Sequence, residues 1–156
     1  MEVEEAKLDI SEIISPKLIS LNLKSNTKHG VIEELSKLLY QNGDVTDEKA
    51  FINDVLFRET EGLTGIGRGV AIPHGKSTAV LNTTIAIGIS DHDIPWESLD
   101  EQPVQVIILF AVRDQDSNTL HLKLLQKVAV LLADDGFIDS LHKVKSKEEL
   151  INLLKK

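Results

Sequence analysis

From Gly65 to Ser77 the chain reads GIGRGVAIPHGKS, with glycines at positions 65, 67 and 69, a histidine directly after a proline, and then Gly-Lys-Ser. Phosphate binding is the first chemistry such a stretch suggests, but the spacing excludes a nucleotide loop. The pattern G-x-x-x-x-G-K-[ST] needs four residues between its glycines, and Gly69 and Gly75 enclose five. Pro73 lies among those five without an N–H, whereas such a loop cradles phosphates with successive backbone amides. The dinucleotide pattern G-x-G-x-x-G also fails, because Val70 and Ile72 stand where its third glycine belongs. Asp114, after an apolar run, is too weak a signal for a magnesium-binding partner.

What the residues do permit is phosphate chemistry in which a histidine is itself the acceptor. An imidazole must be neutral to attack, and with an ordinary pKa of about 6.5 a histidine needs only modest tuning to be so at pH 7. Pro73 fixes the backbone before His74, and Gly75 relieves crowding after it. The Thr64 hydroxyl and the amides of Gly65, Gly67 and Gly69 are expected to donate to phosphoryl oxygens. Phosphoryl transfer asks little more of a protein than in-line positioning and neutralisation of charge. Two further residues suit that task. His121 falls near the start of a helix beginning after Thr119, on the same stripe as Leu124, Leu125 and Val128, so it turns inward at an end that favours anions. Arg58 offers a permanently charged planar fork. The plainer alternatives are a structural turn for His74, a satisfied core-edge site for His121 and a solvated helix end for Arg58. His29, His92 and His142 are assigned to solvent or capping roles. The DHD around His92 has no fourth partner that would make it a metal site. Trp96, in IPWESLD, is expected to pack a loop beside the site.

These residues need elements to carry them. Alternation of Ile19, Leu21 and Leu23 predicts a strand, and Val31, Ile32, Leu35, Leu38 and Leu39 predict a helix stopped by Asn42-Gly43. A second helix runs from about Asp47 to Glu59, with Thr46 as cap, and delivers Arg58 to its C-terminal end. TTIAIGIS reads as a strand with one closely approached face, and VQVIILFAV as a strand covered on both sides. Three helices follow: one carries His121, a short one holds Phe137, Ile138 and Leu141, and the last opens on the capping box SKEE from Ser146 to Glu149. Strands mixed with helices throughout predict an α/β domain whose sheet has helices on both faces. The acidic MEVEEAK and the polar RDQDSN, from Arg113 to Asn118, look loosely held.

The chain has 156 residues, long enough for one domain with its own core, and residues 1–156 are expected to form a single one. It contains no cysteine, which excludes disulfides, thiolate metal sites and a cysteine nucleophile, and with no signal peptide visible it reads as cytoplasmic. No apolar run approaches the roughly 20 residues of a membrane helix. The formal net charge of −8 argues against binding nucleic acid or an anionic membrane surface.

FRET with Arg58, LTGIGRGVAIPHGKS with His74, IPWESLDEQPVQVIILFAV, and HLKLLQKVAVLL opening with His121 together resemble one family. It is the cytoplasmic IIA component, fructose/mannitol class, of the bacterial phosphoenolpyruvate-dependent sugar phosphotransferase system. The likeness runs from about Leu18 to the C-terminus. It implies a three-layer α/β/α sandwich around a mixed sheet, with His74 accepting a phosphoryl group beside Arg58 and His121. It further implies that the phosphocarrier protein HPr is the donor, that a cysteine of the IIB component is the acceptor, and that the membrane IIC component and sugar lie downstream, with no nucleotide, cofactor or metal at this station. Gly75-Lys76 and PWESLDEQPV look more like fructose-type members than nitrogen-regulatory relatives, which signal by binding other proteins. Leu63, at a position often small and polar in relatives, and the loop from Asp114 to Asn118 depart from the family's pattern.

Overall fold

The computed structural model describes residues 10, 13–116 and 119–155. The acidic N-terminal segment lies outside them. The fold is built around β6, Val104–Arg113, whose unbroken apolar run is buried on both faces. β5, Thr84–Ile94, lies antiparallel to it, with Ala86 opposite Leu109 and Ile87 opposite Ile108. β1, Ile19–Ser20, pairs in parallel with the far side of β5. This strand is shorter than the alternation predicts. Only Ile19 and Ser20 pair in register, although the Leu23 amide still reaches the Ile89 carbonyl at 3.1 Å.

On the other side of β6 two short strands form one line. β3, Val70–Ala71, and β4, His74–Ser77, both run parallel to β6, with Val70 opposite Val106 and His74 opposite Phe110, an unchanged offset. Pro73 gives its carbonyl to the Phe110 amide at 2.9 Å but has no N–H of its own, so the ladder lapses without losing register. β2, Gly65–Gly67, lies antiparallel to β3, giving the order β1-β5-β6-β3-β2. β4 lies off that path and pairs with β6 alone, which leaves its outer edge uncovered by a strand.

Helices cover both faces. α1, Lys28–Gln41, buries Val31, Ile32, Leu35 and Leu39 and ends at Asn42. α2, Glu48–Glu59, is capped by the Asp47 carboxylate, which accepts from the Ala50 amide at 3.1 Å. Thr46, the expected cap, lies one residue too early and gives its hydroxyl to the Ala79 carbonyl instead. α3, Leu120–Leu132, α4, Asp135–Leu141, and α5, Lys147–Leu153, follow β6. The Ser146 hydroxyl caps α5 by accepting from the Glu149 amide, while the Glu149 carboxylate reaches back to Lys145 rather than to Ser146. Phe51 and Val55 of α2 press on Gly75 from one side. His74, its neighbour in the strand, must point to the other side, where α3 meets it. A mixed sheet between helical layers is the expected α/β/α arrangement, and the buried side chains from Ile10 to Leu154 form one contiguous core. Among the described residues no helix is long and apolar enough to cross a membrane.

The segment after β6 is more firmly held than its polar sequence suggests. Asp114–Asp116 forms a 3-10 turn in which buried Asp116 accepts from the Arg113 guanidinium at 2.7 and 3.0 Å and from the Thr83 hydroxyl at 2.5 Å. Residues 117 and 118 lie outside the described residues.

Gly75 is where the sheet and α2 come closest. A Cβ there would stand 2.6 Å from Val55 Cγ2 and 2.9 Å from Phe51 Cε1. Gly75→Ala is therefore expected to lower stability by about 1–3 kcal/mol, as overpacking does, read as a lower midpoint in urea denaturation.

Candidate active site

His74 opens β4 at the point where the antiparallel pairing of β2 has ended. The Ile72 amide donates to the Thr64 carbonyl at 2.9 Å, and the Ile72 carbonyl faces Nδ1 of His74 at 3.1 Å. A carbonyl can only accept, so Nδ1 carries the hydrogen. On the far side of the ring the Arg58 Nε–H donates to Nε2 at 3.1 Å. Two independent neighbours therefore specify one neutral tautomer, with the lone pair on Nε2.

Arg58 reaches this nitrogen from the last turn of α2, on the opposite face of the sheet, past the uncovered edge of β4. A cation also suits a helix C-terminus. His121 comes from the first turn of α3, its ring 5.5 Å from that of His74 and tilted by 43°. Phe110, the β6 partner of His74, sets the spacing, presenting an edge-on contact to each imidazole at 6.3 and 6.1 Å. The three residues line a cavity of about 540 Å³ with Asp54, Phe57, Glu61, Lys76 and Val112. Two buried polar atoms here have no hydrogen-bond partner, Nη1 of Arg58 and Nδ1 of His121.

Thr64, Gly65 and Gly67 do not supply the donors expected of them. The Thr64 hydroxyl donates to the Glu59 carboxylate at 2.7 Å and accepts from Trp96 Nε1 at 2.8 Å. The Gly65 amide donates to the Glu97 carbonyl, and the Gly67 amide to the Ser98 hydroxyl. The loop is a structural turn. Gly67, Arg68 and Gly69 have φ of 94°, 59° and 79°, and this left-handed run is tolerable chiefly because two of its members are glycine. Arg68 is held by its amide donating to Asp100 and its carbonyl accepting from His142 Nε2 at 2.8 Å, and its guanidinium pairs with Asp135.

Glu59 has no counterpart in the sequence reading beyond its place in FRET. Its side chain is 5% exposed and also accepts from Lys28 Nζ at 2.9 Å. Lys28 in turn bridges to Glu97 and lies 5.6 Å from the centre of the Trp96 ring. This network joins α1, the end of α2 that carries Arg58, and the loops flanking β2 and following β5. Trp96 packs the loop after β5 against Thr64 and Lys28, in the network around Glu59, and does not line the cavity. Lys76 could have been found from strand periodicity, since residues two apart share a face; the Lys28–Glu59 contact joins residues too distant in sequence for any local pattern. The other histidines lie elsewhere. His29, in the first turn of α1, pairs with Glu33; His92 meets the Ser25 carbonyl and Asp91; and His142 caps α4. No group of three or more metal-ligating side chains occurs among the described residues.

Burial holds the His74 pKa below the ordinary histidine value, and the Arg58 charge adds to this, while the Ile72 carbonyl and Glu59 oppose it. Burial also lowers His121, helped by the nearby His74 and Lys76. Both rings are thus mainly neutral at pH 7.

Comparisons with known proteins place the chain in a wider group. The sequence model described as phosphoenolpyruvate-dependent sugar phosphotransferase system, EIIA 2, matches residues 12–156. The fructose-specific EIIABC component of the phosphotransferase system (PTS) of Bacillus subtilis (strain 168) is 34% identical over 147 residues, covering 94% of this chain and 23% of that protein, so the chain spans less than a quarter of that relative. Among solved structures, the nitrogen regulatory protein IIA-Ntr from Neisseria meningitidis matches with a TM-score of 0.85 at 30% identity, over 93% of this chain and 98% of the other. The complex of enzyme IIAMTL and phosphorylated enzyme IIBMTL from Escherichia coli matches with a TM-score of 0.77 at 22% identity, over 90% and 96%, a likeness of fold.

The electrostatics can be read directly by imidazole NMR. His74 and His121 are expected to titrate below 6.5, and His92, whose proton the Ser25 carbonyl and Asp91 retain, above it. Because the unfolded chain protonates His74 and His121 more readily than the folded one, stability from these two rings is complete above about pH 6.5 and declines as pH falls toward their native midpoints. Midpoints for His74 and His121 at or above 6.5 would contradict the geometry.

Proposed function

Because the chain belongs to the EIIA 2 family of the phosphoenolpyruvate-dependent sugar phosphotransferase system, whose members are phosphotransferases working through a phosphohistidine, we propose that His74 carries the phosphoryl group, on Nε2. One observation carries this reading. A neutral imidazole of fixed tautomer, its Nε2 lone pair accepting from Arg58, borders a cavity in which two buried polar atoms, Arg58 Nη1 and His121 Nδ1, lack partners.

A phosphoryl group arrives on a histidine of HPr. The Nε2 lone pair attacks phosphorus as the bond to the donor nitrogen breaks and its electron pair returns to the donor ring. Nδ1 keeps its hydrogen throughout, so the phosphorylated ring is cationic, and the Ile72 carbonyl and the Glu59 charge stabilise it. Arg58 gives up its bond to Nε2 and donates to the phosphoryl oxygens, and His121 donates its one N–H. Transfer onward to a thiolate of a IIB component returns the electron pair to Nε2 and restores the resting tautomer with no proton moved. Charge neutralisation and alignment are the whole of the catalysis.

On this reading the chain acts as one cytoplasmic IIA unit in uptake of a fructose-type sugar through IIB and the membrane IIC component. The name of the Bacillus subtilis relative supports that assignment. A second reading, a regulatory module whose phosphorylation state selects protein partners, is favoured by the likeness to IIA-Ntr. Onward transfer to a sugar-specific IIB supports the first. A stable complex with another protein that changes on phosphorylation, without such transfer, supports the second.

Incubation with phosphoenolpyruvate, enzyme I and HPr is expected to add one phosphate, acid-labile and base-stable, and nitrogen NMR should locate it on Nε2 of His74. His74→Ala should abolish it; label persisting in that variant would overturn the proposal. Arg58→Ala and His121→Ala should fold normally and slow transfer roughly 10²–10³-fold, the loss typical of a transition-state donor, as measured in single-turnover experiments.

A further inference from the structure

A phosphoryl group brings a charge of about −1.5 to −2 into this half-buried cavity. The amides of Gly65 and Gly67 and the Thr64 hydroxyl are engaged elsewhere, and His121 is neutral. Arg58 alone leaves the incoming charge under-compensated, the more so because Asp54 and Glu61 line the same space.

Lys76 lies two residues beyond His74 in β4, so both side chains leave the same face of the sheet. It lines the cavity, and its charge bears on the His121 ring. Among the described residues its ammonium has no hydrogen bond or ion pair, although two carboxylates border the cavity. We propose that Lys76 Nζ is the second cation of the site and contacts the oxygens of the phosphoryl group on His74. This rests on His74 being the acceptor. No proton moves in the step: the bond formed is Nε2–P, the bond broken is that from phosphorus to the donor nitrogen, and the lysine only neutralises charge.

Phosphorylated wild type, Lys76→Gln and Lys76→Arg are compared by ³¹P NMR after the donor proteins have been removed, so that a lysine serving only to dock partners has no influence. Loss of a contacting cation is expected to raise the protonation midpoint of the phosphoryl group by about 0.5 pH unit in Lys76→Gln, with Lys76→Arg close to wild type. Single-turnover transfer from phosphorylated HPr should fall roughly 10-fold in the glutamine variant and recover in the arginine variant. A labelled wild type with an unchanged midpoint in Lys76→Gln overturns the inference and leaves His74 as acceptor, and a change confined to KM for HPr does the same in favour of a docking role. A wild type that takes no label on His74 overturns the parent reading itself. Lys76 is exposed, so circular dichroism should show both variants folded.

Discussion

A hydrogen shared between His74 Nδ1 and the Ile72 carbonyl at 3.1 Å decides which side of the imidazole can react. An imidazole on a flexible loop would exchange tautomers and turn over. Here the acceptor is a main-chain carbonyl sited between two strands that both pair with β6, so it cannot titrate and has little freedom to move. That carbonyl is left to the imidazole just where the antiparallel pairing of β2 ends. The chemistry of the ring is thus set by where one short strand stops.

Arg58 confirms the same tautomer from the opposite direction, and its position depends on the open edge of β4. A further strand along that edge would separate α2 from the His74 ring. The edge strand, ordinarily a liability, is here the passage between the two helical layers. The residues that meet across it come from α2, β4 and α3, and each of these has its own lateral restraint. Glu59, beside Arg58, is held by Thr64 and Lys28. Gly75, beside His74, is held against Phe51 and Val55. The turn leading toward His121 is held by Asp116 with Arg113 and Thr83. The fixed parts lie immediately next to the reactive ones, while the reactive atoms face the cavity.

Charge in that cavity is finely divided. Arg58 and Lys76 stand against Asp54 and Glu61, and both imidazoles are mainly neutral, so the formal charges lining the cavity cancel. A carrier must release what it accepts, and a site of excess positive charge would hold the phosphoryl group against its next acceptor. With His74 as the proposed acceptor, a balanced cavity would let the group bind through direct contacts while keeping the transfer reversible.

Much of this was legible in the sequence. The helical stripes of α1 and α3 and the buried run of β6 follow from apolar periodicity, which operates over a few residues and needs no tertiary information. The motif GVAIPHG singled out His74, and the stripe that His121 shares with Leu124, Leu125 and Val128 gave its inward orientation. Local pattern misjudged the hydrogen bonds. Thr64 and the amides of Gly65 and Gly67 read as phosphate donors because their chemistry allows it; the fold had already committed them to Glu59, Glu97 and Ser98. The sequence by itself determined which elements form and which side chains have the chemistry to accept and neutralise a phosphoryl group. Only the tertiary structure decided which nitrogen bears the lone pair, which donors remain unpartnered and which cations share the cavity. Those depend on contacts between residues far apart in the chain, whose geometry no local period encodes.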